Sequence, residues 1–170
     1  MLRSLIQRYK LHRDPIKYWR SMGVSIGERC EIYSSASFGS EPYLISLGDH
    51  VRINSGVNFV THDGGVWVLR ERYDELKNVD LFGKITVGNN VHIGTNALIM
   101  PGVTIGNNCI IGCGAIVTKD IPDNSIAVGI PARVIETVDE YKEKHIQSFD
   151  HTKGLSRLQK ESYLKRKFFI

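Results

Sequence analysis

Cysteine is scarce in this chain of 170 residues, where Cys30, Cys109 and Cys113 are the only three. An odd number without a paired short spacing argues against a disulfide framework and a zinc knuckle, so the three read as small core or turn residues in a reducing compartment. Long apolar runs are missing as well. Residues 1–20 alternate Leu and Ile with Arg and Lys and hold no unbroken stretch of the kind that a signal peptide or a membrane span requires. A cytoplasmic location is expected. Charge is close to balanced, with 22 Lys and Arg against 18 Asp and Glu, and a net +4. Residues 1–22 carry +5 (six cations, one anion), residues 23–136 carry −4 (eight and twelve), and residues 137–170 carry +3 (eight and five). A nucleic-acid reader needs basic surface and aromatic platforms on its folded body. Here the body is acidic, which weighs against a nucleic-acid partner.

What the chain has in abundance is a rhythm of six. Val87, Ile93, Ile99, Ile105, Ile111 and Val117 are aliphatic at strict spacing, and Val91, Ala97, Val103, Cys109, Ala115 and Ile121 follow four places behind each. The same beat occurs earlier as Ile26, Ile32 and Phe38 and again as Leu47, Ile53 and Phe59, with three extra residues between the two groups. A period of six is neither the helical 3.6 nor a plain alternation, which leaves short strands with a bend in every unit. Runs such as Gly88-Asn89-Asn90 and Gly106-Asn107-Asn108 offer the permissive dihedrals of a corner. Three corners close a triangular coil of eighteen residues, and coils stack at about 4.8 Å, the spacing between strands. The pattern predicts an all-β fold: a parallel β-helix of roughly five coils over residues 23–136 with an excursion over 63–84.

The tails read differently. Leu2, Leu5, Ile6 and Tyr9 recur at helical spacing, and Thr137 to Phe149 opens with a Thr cap and an acidic turn. Residues 1–22 are expected as an N-terminal helical cap and 137–170 as a C-terminal helical tail, within a single domain 1–170. Covering the open strand edges of a solenoid prevents coil-on-coil aggregation. For the basic segment Ser156 to Ile170 a solvated face is preferred over membrane docking.

The stretch Ile85 to Ile135, reading ITVGNNVHIGTNALIMPGVTIGNNCIIGCGAIVTKDIPDNSIAVGIPARVI, resembles almost position by position the C-terminal half of the hexapeptide-repeat acyltransferases. The branch it resembles contains the galactoside and maltose O-acetyltransferases. That resemblance implies a left-handed β-helix with short terminal helices, a homotrimer with active sites between subunits, and acetyl-CoA as cosubstrate without a metal. The implied activity is acetyl transfer to a carbohydrate hydroxyl, in the assembly of a surface polysaccharide, lipopolysaccharide or nodulation-type oligosaccharide.

The long interruption begins as Val60-Thr61-His62-Asp63. Long breaks in a rigid solenoid are usually functional. A corner histidine taken alone is a surface residue more often than a base, but Thr61-His62 resembles the catalytic signature of the family at the same place, which implies His62 as the general base. A neutral imidazole can accept the proton of a sugar hydroxyl as it attacks a thioester, without a covalent intermediate. Thr95 and Cys113, eighteen apart, match residues whose backbone lines the pantetheine groove. Thr118, Lys119 and Arg133 match residues at the nucleotide end of coenzyme A, where cations suit phosphate. Asp63, Trp67 and Arg70 are candidates for contact with the acceptor. Trp67, Arg70, Arg72 and Tyr73 read equally as anchors of the loop or filler of a subunit interface. The chain departs from the family pattern at Asp63 (usually Pro), His92 (usually Trp), Cys113 (usually Ala) and Glu136 (often basic). His92 reads as a replaced packing residue.

Three alternatives stand beside this reading. One is an N-acetyltransferase acting on an amino sugar. Another is a non-catalytic β-helical scaffold, which would have no use for the cations of VTKD and PARV together with His62. The third is a metal-dependent carbonic anhydrase, which needs three converging histidines. His50, His62 and His92 differ in hexad phase or corner, which disfavours it.

Overall fold

The computed structural model describes residues 2–170, with side chains from residue 5 onward; the side chain of Leu2 lies outside the described residues. Two helices, α1 (Leu2–Arg13) and α2 (Pro15–Ser21), lead into five short strands: β1 (Ser25–Ile26), β2 (Glu31–Ile32), β3 (Ile45–Leu47), β4 (Val51–Ile53) and β5 (Asn58–Phe59). A helix, α3 (Val66–Arg72), interrupts them. Then follow β6 (Ile85–Val87), β7 (Val91–Ile93), β8 (Leu98–Ile99), β9 (Thr104–Ile105), β10 (Cys109–Ile111), β11 (Ile116–Val117), β12 (Ser125–Val128) and β13 (Arg133–Thr137), and the helices α4 (Val138–His145) and α5 (Arg157–Phe168).

The strands fall into three sheets, ordered β1-β3-β6-β9, β2-β4-β7-β10-β12-β13 and β5-β8-β11. All pairs are parallel except β12 with β13. The chain visits the sheets in turn. Cys109 pairs with Val91 and Ile116 with Leu98, so one circuit takes eighteen residues. This is why the period is six: each lead aliphatic enters the next sheet. Val87 and Ile105 therefore belong to the first sheet, Ile93 and Ile111 to the second, Ile99 and Val117 to the third, and all are at most 2% exposed. The second inward set, from Val91 to Ile121, is also buried.

A polar spine runs along the corner between the first and second sheets. Arg29, His50, Asn90, Asn108 and Asn124 adopt φ between 53° and 58°, a left-handed conformation that asparagine tolerates better than most residues. Beside them the side-chain oxygens of Asp49, Asn89, Asn107 and Asp123 accept from the backbone N–H of Glu28, Asp49, Asn89 and Asn107, at 2.8, 2.8, 2.9 and 2.7 Å. Each coil thus caps the one before it.

Trp19 of α2 packs on Phe38, and Phe38 stacks on Phe59, with centroids 4.7 and 4.8 Å apart. Arg20 donates to the carbonyls of Ile26 and Gly27 at 2.8 and 2.9 Å, which closes the open side of the edge strand β1. Leu5, Ile6 and Tyr9 of α1 are exposed.

The contacts divide the chain into two compact units, Met1–Asp139 and Glu140–Ile170. The second unit is organised around Asp150, which accepts from Tyr163 Oη and Lys167 Nζ, both at 2.6 Å. Ser156 and Gln159 form a capping box at the start of α5. Among the described residues, no helix is long and apolar enough to cross a membrane.

Candidate active site

The chain leaves the hexad rhythm twice, and both breaks meet at one corner. The long excursion departs just after β5. His62 bridges antiparallel to Phe82, Asp63 N–H donates to Leu81 at 2.8 Å and Gly83 N–H donates to Thr61 at 2.8 Å. These bonds form a neck that draws the two ends of the excursion together and holds His62 at its mouth. The imidazole is about half exposed (46%) and stands edge-on to Phe82, with centroids 6.3 Å apart.

The shorter break is the three-residue insertion between Phe38 and Leu47. Gly39 takes a positive φ of 66°, where a Cβ would sit 3.1 Å from Thr61 Oγ1, so glycine allows the close approach that follows. Glu41 Oε2 accepts from Thr61 Oγ1 at 2.6 Å and lies 3.2 Å from His62 Nδ1, while Ser40 Oγ is 3.3 Å from the same nitrogen. Thr61 is fully buried and the Glu41 side chain only 17% exposed. The Thr61 hydroxyl holds the Glu41 carboxyl below the usual carboxylate range; burial opposes this, and Ser40 and His62 add to it. The group facing Nδ1 is an ionised acceptor.

Asp63, next to the base candidate, turns away to accept from Gly65 N–H at 2.7 Å, the Asx turn that starts α3. Glu41, from the preceding coil, is the carboxylate beside His62. Arg70 donates from Nε to the carbonyl of Val79 at 2.8 Å and pairs with Asp80, stapling the two halves of the excursion. Arg72 donates to Tyr73 Oη at 2.9 Å. Trp67 is 75% exposed.

Thr95 and Cys113 stack as neighbouring coils at the corner that enters the third sheet. Gly114 N–H donates to Thr95 at 2.8 Å, and a Cβ on Gly94 would come within 2.6 Å of Cys113 N. Thr118 and Lys119 follow β11 and are exposed. Ala132 N–H donates to Ile116 O (2.8 Å) and Ile116 N–H to Gly129 O (3.1 Å), laying segment 129–132 on β11. Arg133 itself begins β13 and pairs with Val128 in the second sheet, while Thr118 and Lys119 lie at the corner leaving the third sheet. His62 follows β5 at the corner leaving that sheet, away from the Thr95 and Cys113 corner.

His92 lies on the outer face of the second sheet, paired with Arg52 and Ile110, with Nε2 3.1 Å from Asn54 Nδ2. Burial, then the nearby Arg52 charge, push its imidazole below the usual value. His50 Nδ1 is 2.8 Å from Asn90 Oδ1 in the corner spine. Among the described residues no three His, Cys, Asp or Glu side chains gather as a metal site.

The family model described as bacterial transferase hexapeptide (six repeats) matches residues 84–119. Protein CapG of Staphylococcus aureus is 50% identical over 165 residues, which cover 96% of this chain and 92% of that protein. Galactoside O-acetyltransferase of Escherichia coli (strain K12) is 40% identical over 112 residues, 65% of this chain and about half (52%) of that protein's length. Among solved structures, a galactoside acetyltransferase in complex with coenzyme A superposes with a TM-score of 0.60 at 30% identity, covering 84% of this chain and 82% of that one. With half its residues shared along nearly the whole of CapG, and the repeat matched within its own block of strands, the chain belongs to the bacterial hexapeptide-repeat transferase family and is an acyltransferase.

Proposed function

We propose that this protein transfers an acetyl group from acetyl-CoA to a carbohydrate hydroxyl, with His62 as general base, on a left-handed β-helix that works as a homotrimer. The observation that carries the reading is the half-exposed imidazole at the mouth of the excursion, tied by Nδ1 to a carboxylate. Nε2 then has the lone pair. The acceptor oxygen adds to the thioester carbonyl as its proton passes to Nε2. The tetrahedral oxyanion collapses, the C–S bond breaks, and the imidazolium returns the proton to the departing thiolate. The products are an acetyl ester and free coenzyme A. The reaction is set in the cytoplasm, where acetyl-CoA is at hand.

The coenzyme is read along Thr95 and Cys113, with its phosphates toward Thr118, Lys119 and Arg133, a charge-assisted fit for guanidinium and ammonium groups. Support for the trimer comes from the separation of corners: Thr95 with Cys113, and His62, flank the third sheet of one chain, so a groove between two copies would unite them. Asp63, Trp67 and Arg70 belong to the excursion that would border the acceptor. Of these Trp67 presents the largest exposed ring, suited to stacking on a sugar face. The similarity to galactoside O-acetyltransferase and to its coenzyme A complex favours oxygen over nitrogen as acceptor.

The variant His62→Ala tests the assignment. Acetyl transfer to a panel of sugars should fall by about 10³-fold or more, the combined contribution of a base and its positioning. Calorimetry should show coenzyme A binding retained, and light scattering an unchanged oligomer. Undiminished turnover would remove His62 from the mechanism.

A further inference from the structure

We propose that Glu41 is a positioning residue that fixes the tautomer and orientation of His62, and that the three-residue register break from Gly39 exists to deliver it. The proposal rests on the reading of His62 as the base. A solenoid coil closes in eighteen residues without the extra three, and the insertion bends the chain into the turn that carries Ser40 and Glu41. From there Glu41 reaches across one full coil, twenty-one residues in sequence, to the imidazole.

The charge on Glu41 favours one arrangement of protons. Thr61 Oγ1 donates to Glu41 Oε2 at 2.6 Å and anchors the carboxylate from within the core, where Thr61 is fully buried. The same oxygen faces His62 Nδ1 at 3.2 Å. An ionised carboxylate can only accept, so the imidazole donates from Nδ1 and its lone pair lies at Nε2. Of the other groups against the ring, Ser40, Thr61 and Phe82 are neutral, and Asp63, next in the chain, is bonded to Gly65 N–H. Glu41 is therefore the charge that the imidazolium meets once it has taken the acceptor's proton. Gly39, whose Cβ would crowd Thr61 Oγ1 at 3.1 Å, keeps the anchor in reach.

The test compares the parent with Glu41→Gln, Thr61→Val and His62→Ala. A glutamine amide of nearly the same shape can offer N–H to Nδ1, which puts the ring proton on the wrong nitrogen. For Glu41→Gln, kcat should fall by about 10²–10³-fold, between the usual cost of an outer carboxylate and that of a lost tautomer, with the coenzyme KM within twofold of the parent. Thr61→Val should show a smaller loss of the same kind. Nitrogen-15 spectra of the parent should show the neutral His62 ring protonated at Nδ1. A dominant Nε2–H tautomer in the parent overturns the proposal, as does Glu41→Gln with kcat within threefold of the parent when His62→Ala is inactive. If His62→Ala keeps its turnover, the base assignment falls by itself, and the ring spectrum of the parent still decides whether Glu41 directs the imidazole. The spectrum also decides if Glu41→Gln fails to fold.

Discussion

Asn107 bonds in both directions along the solenoid. Its Oδ1 accepts from Asn89 N–H, and its Nδ2 donates to Asp123. Asn107→Ala removes both bonds and leaves a corner amide to water, at a cost of about 1–2 kcal/mol, or a fall in Tm of about 2–8 °C by thermal denaturation. Asp123 adds a dependence on pH. The Asn107 backbone and side-chain amides hold its carboxyl below the usual range. A carboxyl depressed in the folded state stabilises the protein above its unfolded value, and that contribution is lost as pH falls through the folded value. Asp123→Asn should therefore lose less Tm than the parent between pH 7 and pH 3; an equal loss would show that Asp123 carries no linkage. The paired asparagines were visible in the sequence as corners, because their backbone demand is local. Their bonds to neighbouring coils were not, since these cross eighteen residues. Glu41 was hidden for the same reason twice over: it sits where the hexad phase is lost, and its partner is a coil away. The three surplus residues after Phe38 were its one trace.

At the scale of elements, the excursion over 63–84 is a folded unit in its own right, held at the neck by His62 with Phe82 and inside by Arg70 with Val79 and Asp80. Arg70 was a candidate for sugar contact by residue type, and its guanidinium is engaged within the loop. Arg70→Ala should thus loosen the excursion and leave the coils intact. Limited proteolysis within 63–84 should quicken by about tenfold, the equivalent of about 1.4 kcal/mol of local opening, while Tm shifts by less than about 2 °C. The acceptor KM should rise and the coenzyme KM stay. Unchanged proteolysis would show that Val79 and Asp80 hold without it. Helices and strands were legible where they obey a period. The inside of the excursion has none, so its staple could be found only in three dimensions.

For the whole molecule, the distribution of charge has consequences that the net +4 conceals. The acidic stretch 23–136 also carries two exposed cations, Lys119 just after β11 and Arg133 at the start of β13. Lys119→Ala and Arg133→Ala should each weaken coenzyme A binding by about tenfold, roughly the 1.5–3 kcal/mol of a charge-assisted bond less its screening. The loss should shrink in calorimetry at high salt. Equal affinity for coenzyme A in parent and variants, or a loss that persists undiminished with dephosphorylated fragments, would place the phosphates elsewhere. The stack of coils itself was legible throughout, because six consecutive hits at one spacing admit few backbones.

The one-way spine of corner amides also bears on how the protein is made. The N–H of Glu28, Asp49, Asn89 and Asn107 is each satisfied by a side chain from the coil that follows. The leading turn of a half-synthesised chain therefore ends in an unanswered donor, whose acceptor lies 16 to 40 residues further along. At about 5–20 residues per second a ribosome delivers that acceptor in roughly one to eight seconds. Assembly on the ribosome then advances like a zip with one slider, from the aromatic plug at Trp19 toward Asp123, and a pause in translation would leave a templating edge rather than a tangle.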